Sequence, residues 1–170
     1  MKRFYVLFLF ALILSSCVFT KNKIVTDEKK HEKILIGDVN RKSFLKDEFK
    51  TWFEKNYSSY NPDKEVIDLL GNSDLYKDIN IKIIFGTWCG DSRRELPRFF
   101  RIVDAAHIPE NIISLTAVDT KKSSRNKSLD GISFTRIPVF IFYRNGEETG
   151  RIVESPRESL EKDILNILNK

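Results

Sequence analysis

The sequence predicts an α/β fold in which a central mixed sheet of about four to five strands is flanked by helices. Three observations carry the prediction. The apolar run Ile81 to Phe85 leads into Trp88-Cys89-Gly90 and then into an amphipathic helical pattern. Asn145-Gly146, favoured two-residue turn chemistry, separates two strand-like runs. Leu160, Ile164, Ile167 and Leu168 then recur at helical spacing near the chain end. The element order is strand, helix, strand, hairpin, helix.

The first residues point to export. Met1-Lys2-Arg3 supplies a positive start, Phe4 to Leu14 is an unbroken apolar stretch of eleven residues, and Leu14-Ser15-Ser16-Cys17 follows. Eleven residues fall short of the roughly 20 that span a bilayer but suit the apolar region of a signal peptide. The tetrad resembles the lipobox of bacterial lipoproteins, which implies removal of residues 1–16, lipidation of Cys17 and a lipid membrane as partner. The alternative is an ordinary secretory signal with an incidental Cys17. On either reading the protein leaves the cytoplasm, and the lipoprotein reading implies an exported, periplasm-facing position in a bacterial envelope.

With Cys17 carrying lipid, the mature chain of 154 residues holds one free thiol, so no disulfide can form within it. That length suits one domain built on apolar burial. The formal net charge is +5, but Lys2 and Arg3 leave with the signal, so 27 basic residues face 24 acidic ones, a net +3. Nothing here forms a nucleic-acid footprint. Residues 17–33 are mostly polar, with mixed charge and no apolar period, and read as a flexible tether. The domain is expected to span 34–170.

Within it, Phe44, Leu45, Phe49, Trp52 and Phe53 recur at helical spacing, and Asn61-Pro62 opens a short helix that ends at Leu70 before Gly71. After the cysteine, Leu96, Phe99, Phe100 and Val103 set the inner face of a helix, Arg93, Arg94, Arg98 and Arg101 look mostly to water, and Pro97 sits inside the helix. Ile112 to Val118 reads as a strand, and Pro138 to Tyr143 and Thr149 to Val153 as the hairpin. Ser155-Pro156-Arg157-Glu158 reads as a capping box for the last helix.

Cys89 is the candidate nucleophile. A thiol at a helix N-terminus meets unpaired backbone N–H groups and the positive end of the helix dipole, which favour thiolate. Asp91 beside it opposes that charge, and Arg93 and Arg94 partly offset Asp91. Ser92 occupies the position three residues on where a dithiol site holds its second sulfur. Its hydroxyl either bonds the thiolate or caps the helix. Neither His31 nor His107 stands at metal-ligand spacing from cysteine or carboxylate, so no metal is expected, and no cofactor.

These residues resemble the thioredoxin-fold family: the strand into Trp88-Cys89-Gly90, Pro97 eight residues after the cysteine, Ile137-Pro138 at the head of a strand, the Asn145-Gly146 hairpin and a closing helix. The resemblance spans roughly 80–170 and implies a thioredoxin-like three-layer fold. It also implies a cis peptide at Pro138, which opposes Cys89 across a shallow groove. Trp88, Gly90, Asp91, Ser92, Ile137 and Pro138 are then the expected substrate-binding residues, with Trp88 lying over the groove or else covering a sheet edge. Three positions depart from the family. Ser92 replaces the resolving cysteine, Ile83 stands where a buried acid is common, and Glu154 replaces a glycine beside the groove. Glu154 either acts on the thiolate and on substrate charge or is a solvated edge residue.

Two functions fit. One is an envelope thiol–disulfide exchange protein of monothiol type, monomeric, whose partner is a cysteine-containing polypeptide or small thiol. The other is a membrane-tethered binding module on the same fold without redox cycling. The basic stretch Asp119 to Lys127 either meets phosphate or lipid headgroups or is a solvated loop.

Overall fold

The computed structural model describes residues 23–170; the expected signal segment and Cys17 lie outside the described residues. Six strands, β1 (Lys23–Thr26), β2 (Lys33–Val39), β3 (Ile79–Phe85), β4 (Ile113–Ala117), β5 (Val139–Arg144) and β6 (Glu147–Val153), form one sheet in the order β1-β2-β4-β3-β5-β6. Strand β3 runs parallel to β4 and antiparallel to β5; the remaining pairs are antiparallel. The long apolar run of β3 follows from its central place, since a strand buried on both faces has no polar side to show. Gly146 and Asn145 both have positive φ, as the tight β5–β6 turn requires.

Four helices, α1 (Asp47–Ser59), α2 (Lys64–Leu70), α3 (Gly90–Ala105) and α4 (Leu160–Leu168), cover one face of the sheet. Alternation along the strands sorts the side chains. Ile81, Ile83, Phe85, Phe140 and Phe142 join the helices in the main core, while Ile84, Val139 and Ile141 point to the opposite face. There the third layer is the β4–β5 connection, whose Leu129, Ile132 and Phe134 pack on the sheet together with Val118 and Ile137. Phe44, from a 3-10 turn at Arg41–Leu45, stacks on Phe53 of α1 with ring centres 5.0 Å apart. Pro97 lies within α3, which continues past it to Ala105.

Several sequence expectations are corrected. The fold extends to Lys23, inside the expected tether 17–33, and the added strand takes the sheet beyond five. β1 pairs with β2 in register from Lys23–Ile36 to Thr26–Lys33. Asp27 accepts the amides of Lys29 and Lys30, closing the turn between them. A four-residue edge strand has too few apolar positions to show a period, and here the acidic residue that reads as solvated is buried. Helix α2 is capped by Asp63, which accepts from Glu65 and Val66, one residue after the expected Pro62. Helix α4 begins at Leu160 with Ser159 as cap, because Asp163 holds the amides of Arg157 and Glu158 in a preceding turn. Leu45, expected in the core, is exposed.

Candidate thiol site

Strand β3 ends at Phe85 and the next four residues build the site. A Cβ on Gly86 would lie 2.6 Å from Trp88 Nε1, so only glycine lets the indole fold back over the chain. The indole N–H donates to the Val118 carbonyl at 2.9 Å, and the ring packs in the same apolar cluster as Cys89 and Ile137. Trp88 thus packs beside the thiol with its N–H group satisfied. Thr87 is buried and its hydroxyl oxygen accepts the Leu35 amide at 3.1 Å, fastening the loop to β2. The Cys89 amide donates to the Gly86 carbonyl at 2.9 Å, which turns the chain into α3 with Cys89 as its extended N-cap.

Cys89 is a free, half-buried thiol. Its sulfur donates to the Ile137 carbonyl oxygen at 3.6 Å, and the Ile137–Pro138 peptide is cis. The structure thus brings the thiol and the proline together at the ends of the neighbouring strands β3 and β5, as the resemblance implied. The Pro138 carbonyl accepts the Glu154 amide at 2.8 Å. Glu154 holds a φ of 61, the left-handed region that favours glycine, and its carboxylate meets Arg136 at 2.9 Å. Glu154 thus lies beside Pro138 with its charge paired.

Ser92 takes neither of its expected roles. It is buried, and its hydroxyl oxygen accepts the Gly86 amide at 3.2 Å; the α3 N-cap makes no side-chain capping bond. Ser92 is thus part of the loop's support, and the side chains of Ile137 and Pro138 are buried as well. The cause is the first turn of α3, which points residue 92 back at the end of β3. Gly90 is exposed at the rim, with no heavy atom within 4 Å of where its Cβ would be. Asp91 pairs with Arg94 at 2.7 Å. Ile83 is fully buried in the main core.

The arginines of α3, expected to face water, instead hold the site from outside. Arg93 Nε donates to the Thr87 carbonyl, and the same guanidinium pairs with Glu32 at 3.0 Å. Arg94 reaches Asp91, buried Glu95 and the hydroxyl of Ser155, and its hydrogen bond with Glu95 raises its pKa against the opposing effect of burial. Arg98 lies over the Tyr60 ring, 5.1 Å from its centre. Helical periodicity marks these positions as outward without showing that neighbouring elements supply partners there. Glu32 also stood in the segment read as tether. Among the described residues, no group of three or more His, Cys, Asp or Glu side chains is placed to hold a metal.

No family model matches the chain. It is similar to putative thioredoxin-5 of Dictyostelium discoideum, 35% identical over 98 residues that cover 54% of this chain and 86% of that protein. It is also similar to thioredoxin-like protein R548 of Acanthamoeba polyphaga mimivirus, 27% identical over 114 residues, covering 65% of this chain and 80% of the viral one. Among solved structures, Fasciola hepatica thioredoxin aligns over 56% of this chain and 84% of its own with a TM-score of 0.37 and 17% identity.

Proposed function

The chain belongs to the thioredoxin family, and from that premise we propose that it is a thiol–disulfide exchange protein of monothiol type, held in the cell envelope through a lipid on Cys17. The observation that carries the chemistry is the Cys89 sulfur 3.6 Å from the Ile137 carbonyl, beside Pro138 at the head of β5. A reacting sulfur needs an open approach along the disulfide it attacks, and this thiol is partly exposed, packed beside Trp88 and Ile137.

In the first step the Cys89 thiolate attacks one sulfur of a substrate disulfide. A new S–S bond joins Cys89 to that sulfur, and the other substrate sulfur leaves as a thiolate that takes a proton from water. With Ser92 in the resolving position, no second thiol stands at high effective concentration. An external thiolate then attacks the substrate sulfur of the adduct, Cys89 leaves as thiolate, and the external and substrate sulfurs end joined. Two sulfurs exchange partners and no net electrons are gained by the protein.

The envelope position is supported by Met1-Lys2-Arg3, the apolar stretch Phe4 to Leu14 and Leu14-Ser15-Ser16-Cys17. A rival reading, a binding module without exchange, is favoured by Ser92 being committed to the Gly86 amide. One experiment separates them. The protein is incubated with a peptide disulfide and examined by mass spectrometry under non-reducing conditions. The exchange reading expects a long-lived adduct on Cys89, absent in Cys89→Ser and released by added thiol; no adduct at any peptide concentration rejects it.

A further inference from the structure

The β1–β2 turn and the β4–β5 connection gather basic side chains along the flank of the sheet that carries the first described strand. Lys23 and Arg125 line one cavity of about 350 Å³ between the first two strands and the connection. Asp27 accepts the Thr120 hydroxyl at 2.9 Å as well as the amides of Lys29 and Lys30. The turn that bears Lys29 and Lys30 is thereby fastened to the residue before Lys121 and Lys122. All six of these basic side chains are exposed.

The carboxylates of the same two segments are largely used up internally. Asp27 is 4% and Asp119 5% exposed. Asp119 accepts the amides of Lys121 and Ser123 and reaches Arg125 at 3.5 Å. Glu32 is paired with Arg93. What faces water is mainly lysine, with Glu28 the exposed carboxylate of the turn and Asp130 that of the connection.

We infer that this basic face lies against anionic phospholipid headgroups. The inference rests on the tether reading above. Cys17 precedes Lys23 by six residues, a span of at most about 20 Å even when fully extended, so the start of the first strand stays close to the membrane and the lysines beyond it are within reach of the headgroups. Each basic residue held near an anionic surface adds roughly fivefold to partitioning. The geometry therefore turns a loose tether into a fixed orientation, with the helical face outward. Trp88 is bonded to Val118, one residue before the basic connection, so the Trp88 side of the thiol site lies toward the headgroups. An acidic polypeptide on the same lysines would lack this link to the chain's start.

The test uses the full-length chain in vesicles of phosphatidylcholine alone and of phosphatidylcholine with phosphatidylglycerol. A membrane-impermeant amine reagent labels exposed lysines, read peptide by peptide. Lys121 and Lys122 are expected to label severalfold more slowly on the phosphatidylglycerol vesicles, recovering at high salt, while Lys55 and Lys77 label alike throughout. Equal labelling of Lys121 and Lys122 on both vesicles overturns the inference, whether those lysines serve a soluble acidic partner or none. Co-flotation with the neutral vesicles reports separately on the lipid tether: its absence rejects the anchor, and the basic face is then judged on the anionic vesicles alone. The mixed-disulfide assay is independent of both.

Discussion

The hydroxyl oxygen of Ser92 accepts the backbone N–H of Gly86 at 3.2 Å in a site sealed from solvent. The residue that stands in place of a second thiol therefore supports the loop on which the first one sits. Ser92→Ala leaves the Gly86 amide buried without a partner, a loss of about 1–3 kcal/mol, read as a lower urea midpoint.

Ser92→Cys tests the chemistry at the same position. It supplies a sulfur one helical turn from Cys89, where intramolecular attack outruns any external thiol at millimolar concentration. The adduct with a peptide disulfide is expected to decay at least tenfold faster than in the natural protein, leaving an internal disulfide between Cys89 and the introduced sulfur, visible as a two-hydrogen mass loss. An unchanged adduct lifetime would mean the two sulfurs do not meet.

Gly86→Ala probes the seat of Trp88. A methyl group 2.6 Å from Trp88 Nε1 and 3.0 Å from Ile137 Cδ1 must displace the indole, and overpacking of this kind costs roughly 1–3 kcal/mol. The variant should lose the hydrogen bond to Val118 and expose Trp88, seen as a red shift of tryptophan emission in the native state. Emission identical to the natural protein would place the ring elsewhere.

Local pattern explains what could be read in advance. β3 is a buried run, Asn145-Gly146 is turn chemistry, and the Cys89 and Pro138 motifs each sit at a strand end, so their pairing followed once the strands were aligned. What escaped depends on neighbours distant in sequence. β1 is stable because Asp27 bonds Thr120, 93 positions away. Arg93 turns inward because Glu32 and the Thr87 carbonyl lie there. The layer over Ile84 and Ile141 is an irregular connection whose Leu129, Ile132 and Phe134 show no period at all.

Acid should loosen the helical layer. Asp104 is held below the ordinary carboxylate range first by its hydrogen bonds with Arg41, against the effect of burial, and then by the Tyr57 hydroxyl. For Glu161 burial pushes upward, but bonds from the Tyr60 hydroxyl and the Asp63 amide bring the net shift down. A carboxylate with a depressed folded pKa contributes stability that is complete above its unfolded value, about 4, and is lost as pH falls through the folded value. Urea midpoints should thus fall as the pH is lowered below about 4. Glu161→Gln should lower stability at neutral pH and flatten that drop, with a smaller effect for Asp104→Asn because its site is more open to solvent. A drop of undiminished steepness in Glu161→Gln would remove this carboxylate from the explanation.

Glu154 offers the opposite case, a residue whose replacement should help. Its φ of 61 places a side-chain Cβ where glycine is at ease, at a cost of about 1 kcal/mol or more. The Arg136 ion pair that it gains is exposed, with side-chain accessibilities of 68% and 35%, and such pairs contribute little. The backbone bond from residue 154 to the Pro138 carbonyl survives any substitution that keeps the conformation. Glu154→Gly is therefore expected to raise stability by about 0.5–1 kcal/mol, despite the added freedom of glycine in the unfolded chain, because the strain relieved exceeds the pair lost. Thermal unfolding decides it: a midpoint that falls instead of rising would show that the Arg136–Glu154 pair, and not the backbone, governs this position beside Pro138. Adduct formation by Cys89 measured on the same variant then tells whether the carboxylate also influences which disulfides enter.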